Sequence, residues 1–455
     1  MAATHTVIVG SGIIGVSAAY YLSLLTLQKE DSDGGPKREH FIHLVDPSPV
    51  LFERVASGRA AGFLARNWFS SSAAELGAFS FDLHKQLAEQ FDGRKNWGWS
   101  QSTVIDLDIT GNRKKDGGKG LGEGWDWIMS GESRVASAGS AEDEYEELTE
   151  CPPWLNEFPG ARPLTDHKFT AQMWAVSVPA GRLHMLTICR SNSDPLRLCN
   201  FLLDKCRSRN TVLVHNPALV TELVKPASDS ESPVVIIEYQ NTPKKVTVPC
   251  DNLIVTSGLW TPSVLNSLLP EEPPASFPAI GSLSGAWIII RSKRWQPLET
   301  DTSQVNALFL SKLEGFTPEI FSRVGGEIYV AGINDASIPP PPPMTPRLPP
   351  SDSVDRLISV AELLCSSGST KACEGGTDFE VVSRGLCFRP TTQKGTPVIG
   401  QISLENGGSY GKKFRLWIGS GHGPWGICMS LGTGMVLSQM VLGMETSVDV
   451  SELYP

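Results

Sequence analysis

Short apolar runs and longer stretches of helical spacing predict strands and helices along most of the chain. The β-branched run Thr6–Val9 is typical of a buried parallel strand, and a helix is predicted from Val16 to about Lys29. A second strand is predicted at Phe41–Val45. The remaining predicted strands are Val212–Val214, Val234–Ile237, Asn252–Val255 and Phe414–Ile418, and the remaining predicted helices are Asp352–Leu364 and Ile427–Leu442.

Three segments lack this periodicity. Glu30–Lys37 is polar and is predicted to be an insertion between the first helix and the second strand. Asp106–Glu150 is rich in Gly, Asp and Glu and predicts an exposed loop. Ser337–Pro350 contains five consecutive prolines, Pro339–Pro343, so it is predicted to be an extended connector on the surface.

A glycine-rich turn joins the first strand to the first helix in the pattern G-x-G-x-x-G. A glycine at the first position permits a tight turn, one at the second lets a pyrophosphate approach the backbone, and one at the third lets the helix pack closely on the strand. The free N–H groups of the helix N-terminus favour phosphate. The residues of this predicted dinucleotide site are Gly10, Ser11, Gly12, Ile13, Ile14 and Gly15.

An acidic residue, Asp46, ends the second predicted strand, where a carboxylate can accept hydrogen bonds from a ribose. It lies farther from the glycines than the usual gap of about 20 residues, and the polar insertion accounts for the excess. A carboxylate at this position disfavours a 2′-phosphate. The motif alone is compatible with either a flavin or a nicotinamide dinucleotide.

Composition excludes several classes of protein. The chain has 455 residues, a formal net charge of −10 and 40% hydrophobic residues, so it suits a large folded core and not a phosphate-backbone binder. Nucleic acid is therefore not an expected partner, and no stretch predicts a membrane span or a secretory signal. The nine cysteines have no C-x-x-C spacing, which favours reduced thiols in a cytoplasmic protein and no metal site.

Four separated segments resemble the FAD-dependent oxidoreductases of the D-amino-acid-oxidase and glycine-oxidase type, most closely a largely fungal branch. Thr317–Arg323 and Gly326–Gly332 are similar to features of that branch, some of whose members act in secondary metabolism. The region Val178–Ser193 fits no element of the family. The four segments are the Gly10–Asp46 region, Ala56–Ala65, Asp251–Thr261, and a C-terminal group made of Cys387–Pro390, Gly395–Gly400 and Gly421–Ile427.

The resemblance implies an α/β fold of the glutathione-reductase type. A Rossmann-like FAD-binding domain with a parallel sheet would be interleaved with a substrate domain built on an antiparallel sheet, because flavin-site segments stand at both ends of the chain. The implied FAD-binding domain comprises residues 1–84, 196–275 and 380–455. The implied substrate domain comprises residues 85–195 and 276–379, with surface insertions.

The resemblance also implies which residues bind FAD. Non-covalent FAD is favoured, since Arg389-Pro390 follows Cys387 as in noncovalent relatives, although a cysteine near this position carries the flavin covalently in the sarcosine-oxidase branch. Besides the glycine turn and Asp46, the implied cofactor residues are Pro47, Ser57, Gly58, Arg59, Ala60, Ala61, Gly62, Phe63, Leu64, Val220, Ser257, Gly258, Trp260, Gly423, Trp425, Gly426 and Ile427.

Two residues are candidates for the chemistry. Arg389 corresponds to an arginine that pairs with the substrate carboxylate in the amino-acid oxidases, and a guanidinium can grip a carboxylate with two parallel hydrogen bonds. The alternative is a structural arginine. His422 is placed to contact flavin or substrate, or to pack beside the ring with a satisfied hydrogen bond, and a role as base is the weaker interpretation. Trp68 and Trp425 could wall the cleft or fill the core.

Three functions remain open from the sequence. The leading hypothesis is an FAD-dependent oxidase, favoured over a dehydrogenase, that takes a hydride from a small amine, amino acid or alcohol and passes the electrons to oxygen. The second is a flavoprotein with a regulatory or trafficking role and no turnover of its own. The third is a nicotinamide-dependent Rossmann dehydrogenase, which the first motif alone would permit but which needs neither Ser57–Leu64 nor the Gly421 segment.

Overall fold

The computed structural model describes most of the chain outside one long region. The described residues are 3–33, 39–108, 145–146, 182–186, 190–192, 194–228, 230–271, 277, 279–293, 295–297, 305–310, 312–343, 345–365, 379–404 and 409–455. Most of the loop predicted at Asp106–Glu150, and the end of the polar insertion at Gly34–Lys37, lie outside these residues. So does much of Val178–Ser193, of which only the backbone of two strands is described.

The described residues form strands and helices in alternation. The strands are β1 (Thr4–Val9), β2 (His40–Val45), β3 (Phe63–Ala65), β4 (Ser100–Asp108), β5 (Tyr145–Glu146), β6 (Arg182–Leu186), β7 (Arg190–Asn192), β8 (Val212–His215), β9 (Ala218–Val224), β10 (Val234–Tyr239), β11 (Lys245–Pro249), β12 (Asn252–Val255), β13 (Ile280–Ser292), β14 (Val305–Leu310), β15 (Glu319–Ser322), β16 (Glu327–Asp335), β17 (Phe379–Thr392), β18 (Val398–Ile402) and β19 (Arg415–Ser420). The helices are α1 (Ile13–Asp33), α2 (Ala56–Arg59), α3 (Ser71–Gln90), α4 (Gly93–Trp97), α5 (Pro195–Arg207), α6 (Thr261–Leu268), α7 (Ser351–Cys365) and α8 (Gly426–Val441).

A six-stranded sheet in the order β18-β19-β12-β1-β2-β8 carries the N-terminal motif. Its strands run parallel, apart from β18, which is antiparallel to β19. The central strand β1 is buried on both faces from Thr6 to Val9, which explains its unbroken β-branched sequence. Helices α1 and α8 cross closely, since a Cβ added at Gly434 would lie 2.6 Å from the Ser17 side chain.

A second sheet is larger than the first. Its order is β17-β13-β16-β15-β14-β4-β6-β5, with β7 pairing to both β3 and β4. Most neighbours are antiparallel, but β14 and β4 run parallel, so the sheet is mixed and not purely antiparallel. Helix α7 packs against β13 and β16, burying Leu357, Ala361 and Leu364. Strands β9, β10 and β11 form a separate antiparallel sheet.

The α/β fold predicted from the sequence is confirmed, and so are the predicted strands and helices with shifts of a few residues at their ends. One boundary differs more. Helix α1 begins at Ile13, inside the glycine motif, and continues to Asp33, so the first part of the predicted polar insertion is helical. Ser337–Pro350 contains no helix or strand in its described residues, as expected of a connector. No helix in the described part of the chain combines the length and apolar character needed to cross a bilayer.

Candidate active site

A cleft lies between the parallel sheet and the mixed sheet and holds about 1860 Å³ of atom-free space, including its open mouth. It brings together most of the predicted site residues. Those that line it are Gly10, Gly12, Ile13, Ile14, Asp46, Pro47, Ser57, Ala60, Ala61, Gly62, Phe63, Ser257, Gly258, Trp260, Cys387, Arg389, His422, Gly423, Gly426 and Ile427. Those that do not line it are Ser11, Gly15, Gly58, Arg59, Leu64, Val220 and Trp425.

The glycine turn at one end of the cleft has no room for side chains. Gly10 has a φ of +103°, and a Cβ there would lie 2.8 Å from the Thr256 carbonyl oxygen. A Cβ on Gly15 would lie 2.0 Å from the Gly10 carbonyl oxygen. Because real Cβ atoms do not approach backbone oxygen so closely, both positions require glycine. The turn therefore packs tightly against the backbone at Thr256, while Gly10 and Gly12 line the cleft.

Asp46 and Ser57 are held against the turn by backbone N–H groups. The Asp46 carboxylate accepts hydrogen bonds from the N–H of Ser11 and of Ser48, both at 2.8 Å, and the side chain is buried. The Ser57 hydroxyl accepts one from the N–H of Ile13 at 2.9 Å, in the first turn of α1. These bonds fix both side chains where they face the cleft beside the positive end of the helix.

The segment from Ala56 to Phe63 is clamped by the mixed sheet, through two residues whose roles the sequence did not reveal. The Arg323 guanidinium donates to the carbonyl oxygens of Ala60 (2.9 Å) and Ala61 (3.1 Å). The Tyr329 hydroxyl donates to the Arg59 carbonyl oxygen at 3.0 Å. Burial raises the pKa of Tyr329, so the hydroxyl stays protonated and remains a donor. The only sequence signals were the resemblances of Thr317–Arg323 and Gly326–Gly332 to the fungal branch.

The C-terminal glycine segment turns the chain from β19 into α8. Gly421 and Gly423 have positive φ angles of 77° and 55°, and a single turn of 3-10 helix leads into α8. The first residues of α8, Gly426 and Ile427, line the cleft, so the N-terminus of this 16-residue helix is directed at it. An N-terminus of this kind favours negative charge.

His422 is buried at the base of this turn. Its Nε2 lies 3.0 Å from the hydroxyl of Thr433, and the side chain is only 2% exposed. Burial lowers the pKa of His422 to about 3, so the ring is neutral at physiological pH. The structure thus places His422 beside the cleft with a satisfied hydrogen bond on one ring nitrogen.

Arg389 reaches the cleft from β17 in the mixed sheet. Its Nη1 donates to the side-chain oxygen of Asn334 at 2.7 Å. Cys387, two residues earlier, also lines the cleft, and its thiol lies 3.5 Å from the Gly285 carbonyl oxygen. A further charged side chain that the sequence did not single out, Glu319 of β15, lines the same cleft and is mostly buried.

The two tryptophans considered as cleft walls belong to the core. Trp68 packs against Phe63 and Phe309, and Trp425 packs edge-on to Phe69. Both are 3% exposed, and neither lines the cleft.

The proline-rich connector contributes an unexpected wall. Pro341, Pro343 and Thr345 line the cleft, and the Trp260 Nε1–H donates to the Pro341 carbonyl oxygen at 3.4 Å. Trp260 follows the parallel strand β12, whereas the connector follows β16 of the mixed sheet. The connector therefore joins the two sheets across the cleft, and it is not a mere surface spacer.

Among the described residues, no cluster of acidic, His or Cys side chains has the geometry of a metal site.

Two fungal proteins are similar to this chain over nearly its whole length. A "putative oxidoreductase" of Schizosaccharomyces pombe is 26% identical and covers 99% of this chain and 97% of its own length. The "putative oxidoreductase TDA3" of Saccharomyces cerevisiae is 22% identical, covering 99% of this chain and 94% of its own.

Solved structures share the fold. Glycine oxidase from Geobacillus kaustophilus superposes with a TM-score of 0.65 at 17% identity, covering 99% of this chain and 98% of its own. L-proline dehydrogenase from P. horikoshii gives 0.64 at 12% identity, covering 100% and 96%. The family model described as FAD dependent oxidoreductase, DAO, matches residues 5–440, nearly the whole chain. The chain therefore belongs to the DAO family of FAD-dependent oxidoreductases.

Proposed function

We propose that this FAD-dependent oxidoreductase binds FAD along the cleft and oxidises a small amine or amino acid whose carboxylate is held by Arg389. The observation that carries the proposal is the meeting, in one cleft, of a glycine turn without room for Cβ atoms, two helix N-termini and a guanidinium from the opposite sheet. The fungal relatives named as putative oxidoreductases, and the solved glycine oxidase and L-proline dehydrogenase that share the fold, support the reaction class.

The residues present fit FAD. Gly12, Ile13 and Ile14 line the cleft at the start of α1, whose positive end is suited to a pyrophosphate, and Asp46 is a held carboxylate suited to a ribose. Ser257, Gly258 and Trp260 complete this end of the cleft. We propose that the remaining predicted residues that do not line the cleft, Ser11 and Gly15 among them, act by shaping this backbone.

When bound, FAD would supply the hydride acceptor. The N-terminus of α8 would favour negative charge on the cofactor, and the segment Ala60–Phe63, fixed by Arg323 and Tyr329, would keep its position. Since His422 is neutral with a pKa near 3, it is a poor proton acceptor, and we propose that it supports the first turn of α8 and contacts the ligand without acting as base.

Arg389 would bind a substrate carboxylate. A guanidinium presents two parallel N–H groups to a carboxylate, which fixes the adjacent carbon in one orientation. We propose oxygen as the electron acceptor and non-covalent FAD, with Cys387 a buried thiol in contact with Gly285. A neutral amine or alcohol is the second substrate class, and a role in fungal secondary metabolism rests only on the sequence resemblance.

We propose two interleaved domains with the boundaries given above. Support comes from the sheets themselves, since the parallel sheet collects strands from residues 4–9, 40–45, 212–215, 252–255 and 398–420. A cytoplasmic location is also a proposal. It is supported by buried cysteines that are free thiols, among them Cys199, Cys206 and Cys250.

Anaerobic titration of the purified protein tests the proposal. We expect flavin absorbance near ~450 nm that amino acids or amines bleach, and that air restores with formation of peroxide. Colour that air does not restore, but an artificial acceptor does, would indicate a dehydrogenase. Flavin that no amine, amino acid or alcohol bleaches would favour the regulatory flavoprotein. The absence of flavin absorbance, with activity on nicotinamide dinucleotides, would contradict the proposal.

A further inference from the structure

Arg389 is held by a neutral partner and not by an ion pair. Its hydrogen-bond partner is the neutral amide of Asn334, and no carboxylate in the described part of the chain lies within 4.0 Å of the guanidinium. The carboxylate of Asp335, the next residue, turns away and accepts hydrogen bonds from Ser337. A part-buried guanidinium without a carboxylate is costly unless a ligand supplies the negative charge.

A bulge in β16 brings Asn334 to the cleft face. Ala286 of β13 pairs with Ile333, but Trp287 pairs with Ala331, so Gly332 is the extra residue. Because side chains alternate along a strand, the bulge puts Asn334 on the same face as Ala331, which lines the cleft. Gly332 has a φ of +124°, and a Cβ there would lie 2.2 Å from the Thr317 carbonyl oxygen, so this position requires glycine.

Gly285 makes room for the guanidinium. It lies opposite Asn334 on one side and opposite Cys387 on the other. A Cβ added at Gly285 would lie 2.4 Å from Arg389 Nη1 and 2.8 Å from Nη2. The guanidinium thus lies directly over this glycine, and it reaches Asn334 only because position 285 carries no side chain.

We propose that Asn334 and Gly285 are positioning residues that hold Arg389 as an uncompensated cation, and that they make the site select carboxylate ligands over their uncharged analogues. This inference rests on the proposed function, since it assigns the determinants of carboxylate selectivity at that site. An amide at position 334 orients the guanidinium through one hydrogen bond without taking its charge. A carboxylate there would form an ion pair and compete with the ligand.

The test measures binding of benzoate and of its uncharged analogue benzamide to the purified holoprotein by titration calorimetry. Wild-type protein is expected to bind benzoate at least about tenfold more tightly than benzamide. Asn334→Asp, which barely changes shape, should weaken benzoate at least about tenfold and leave benzamide within about twofold. Gly285→Ala, which displaces the guanidinium, should have the same selective effect. The matched control is Asn306→Asp on β14 of the same sheet, which does not line the cleft and should change neither affinity.

Two results would overturn the inference. One is wild-type protein that binds benzoate no better than benzamide, and the other is an Asn334→Asp variant that keeps the wild-type ratio of the two affinities. A purely structural role for Asn334 would lower thermal stability or flavin content and weaken both ligands alike, which also contradicts selectivity. Loss of the proposed function shows differently, as holoprotein whose flavin no amine, amino acid or alcohol bleaches, and the ratio of the two affinities is still measurable on that sample.

Discussion

Acid should destabilise this protein well above the pH at which carboxylates titrate, because several histidines are buried in neutral form. Two of these, His43 and His215, form a chain with the half-buried His5 through the parallel sheet. His5 Nδ1 lies 3.2 Å from His43 Nε2, His43 Nδ1 lies 3.1 Å from His215 Nε2, and His215 Nδ1 lies 2.8 Å from the Tyr239 hydroxyl. Burial, and then the neighbouring histidines, lower the pKa of His43 to about 3. Protonating the His43 ring would place a positive charge between the rings of His5 and His215, which both lie within hydrogen-bond distance of it.

The magnitude follows from the difference between the folded and unfolded pKa values. Burial lowers the pKa of His40 and His84 to about 4 and that of His422 to about 3, against about 6.5 in an unfolded chain. Because the folded pKa values are depressed, the unfolded state binds more protons as the pH falls below 6.5, and stability is lost in that direction. Each such histidine costs about 1.4 kcal/mol per pH unit, or about 2 kcal/mol between pH 6.5 and 5.0.

Four histidines acting together would remove a large part of a typical folding free energy of about 5–15 kcal/mol. The assay is urea unfolding followed by tryptophan fluorescence at intervals from pH 7.5 to 5.0. The matched variant is His84→Gln, which removes one titrating group but keeps an N–H donor for the Ile427 carbonyl oxygen, 2.9 Å from His84 Nε2. As the pH is lowered, the unfolding free energy of the variant should fall less steeply than that of the wild type. The difference in slope should correspond to about one proton. A free energy of unfolding that is flat from pH 6.5 to 5.0, or an unchanged slope in the variant, would refute the reasoning.

Three further changes test the cleft. Gly15→Ala places a Cβ 2.0 Å from the Gly10 carbonyl oxygen and should lower the free energy of unfolding by about 1–3 kcal/mol, measured by thermal unfolding. The variant should also lose most of the bound flavin, measured by the absorbance ratio of flavin to protein. Trp260→Phe keeps an aromatic ring but loses the hydrogen bond to Pro341, so flavin should dissociate severalfold faster in a fluorescence assay, whereas an unchanged rate would show that the connector does not retain the cofactor. Acid precipitation of wild-type protein and of Cys387→Ser should leave all flavin in both supernatants, and colour confined to the wild-type pellet would show a covalent link.

Local signals revealed the nucleotide end of the site. The glycine turn, its strand and its helix are adjacent in sequence, so residue type alone indicated where Cβ atoms could not fit. Asp46 was also predictable, because the carboxyl ends of neighbouring parallel strands meet at one edge of the sheet. The length of α1 was misjudged because the polar residues that follow Lys29 show no apolar periodicity, although the helix continues to Asp33.

The opposite wall depends on register, which one sequence does not reveal. The cleft face of β9 presents Leu219 and not the predicted Val220, and a shift of one residue along a strand reverses its face. Asn334 reaches Arg389 only through the bulge at Gly332. Arg323 likewise contacts Ala60 across 263 residues of sequence, a pairing that only the assembled sheets create.

The central claim is that Arg389 holds a substrate carboxylate in the cleft that binds FAD. The most direct measurement is anaerobic bleaching of the flavin by an amino acid and by the corresponding neutral amine, compared between wild type and Arg389→Leu. The account predicts that the variant keeps its flavin and is bleached by the amine at the wild-type rate, but needs at least about tenfold more amino acid for half-maximal bleaching. Equal losses with the amino acid and the amine, or no loss with either, would contradict it.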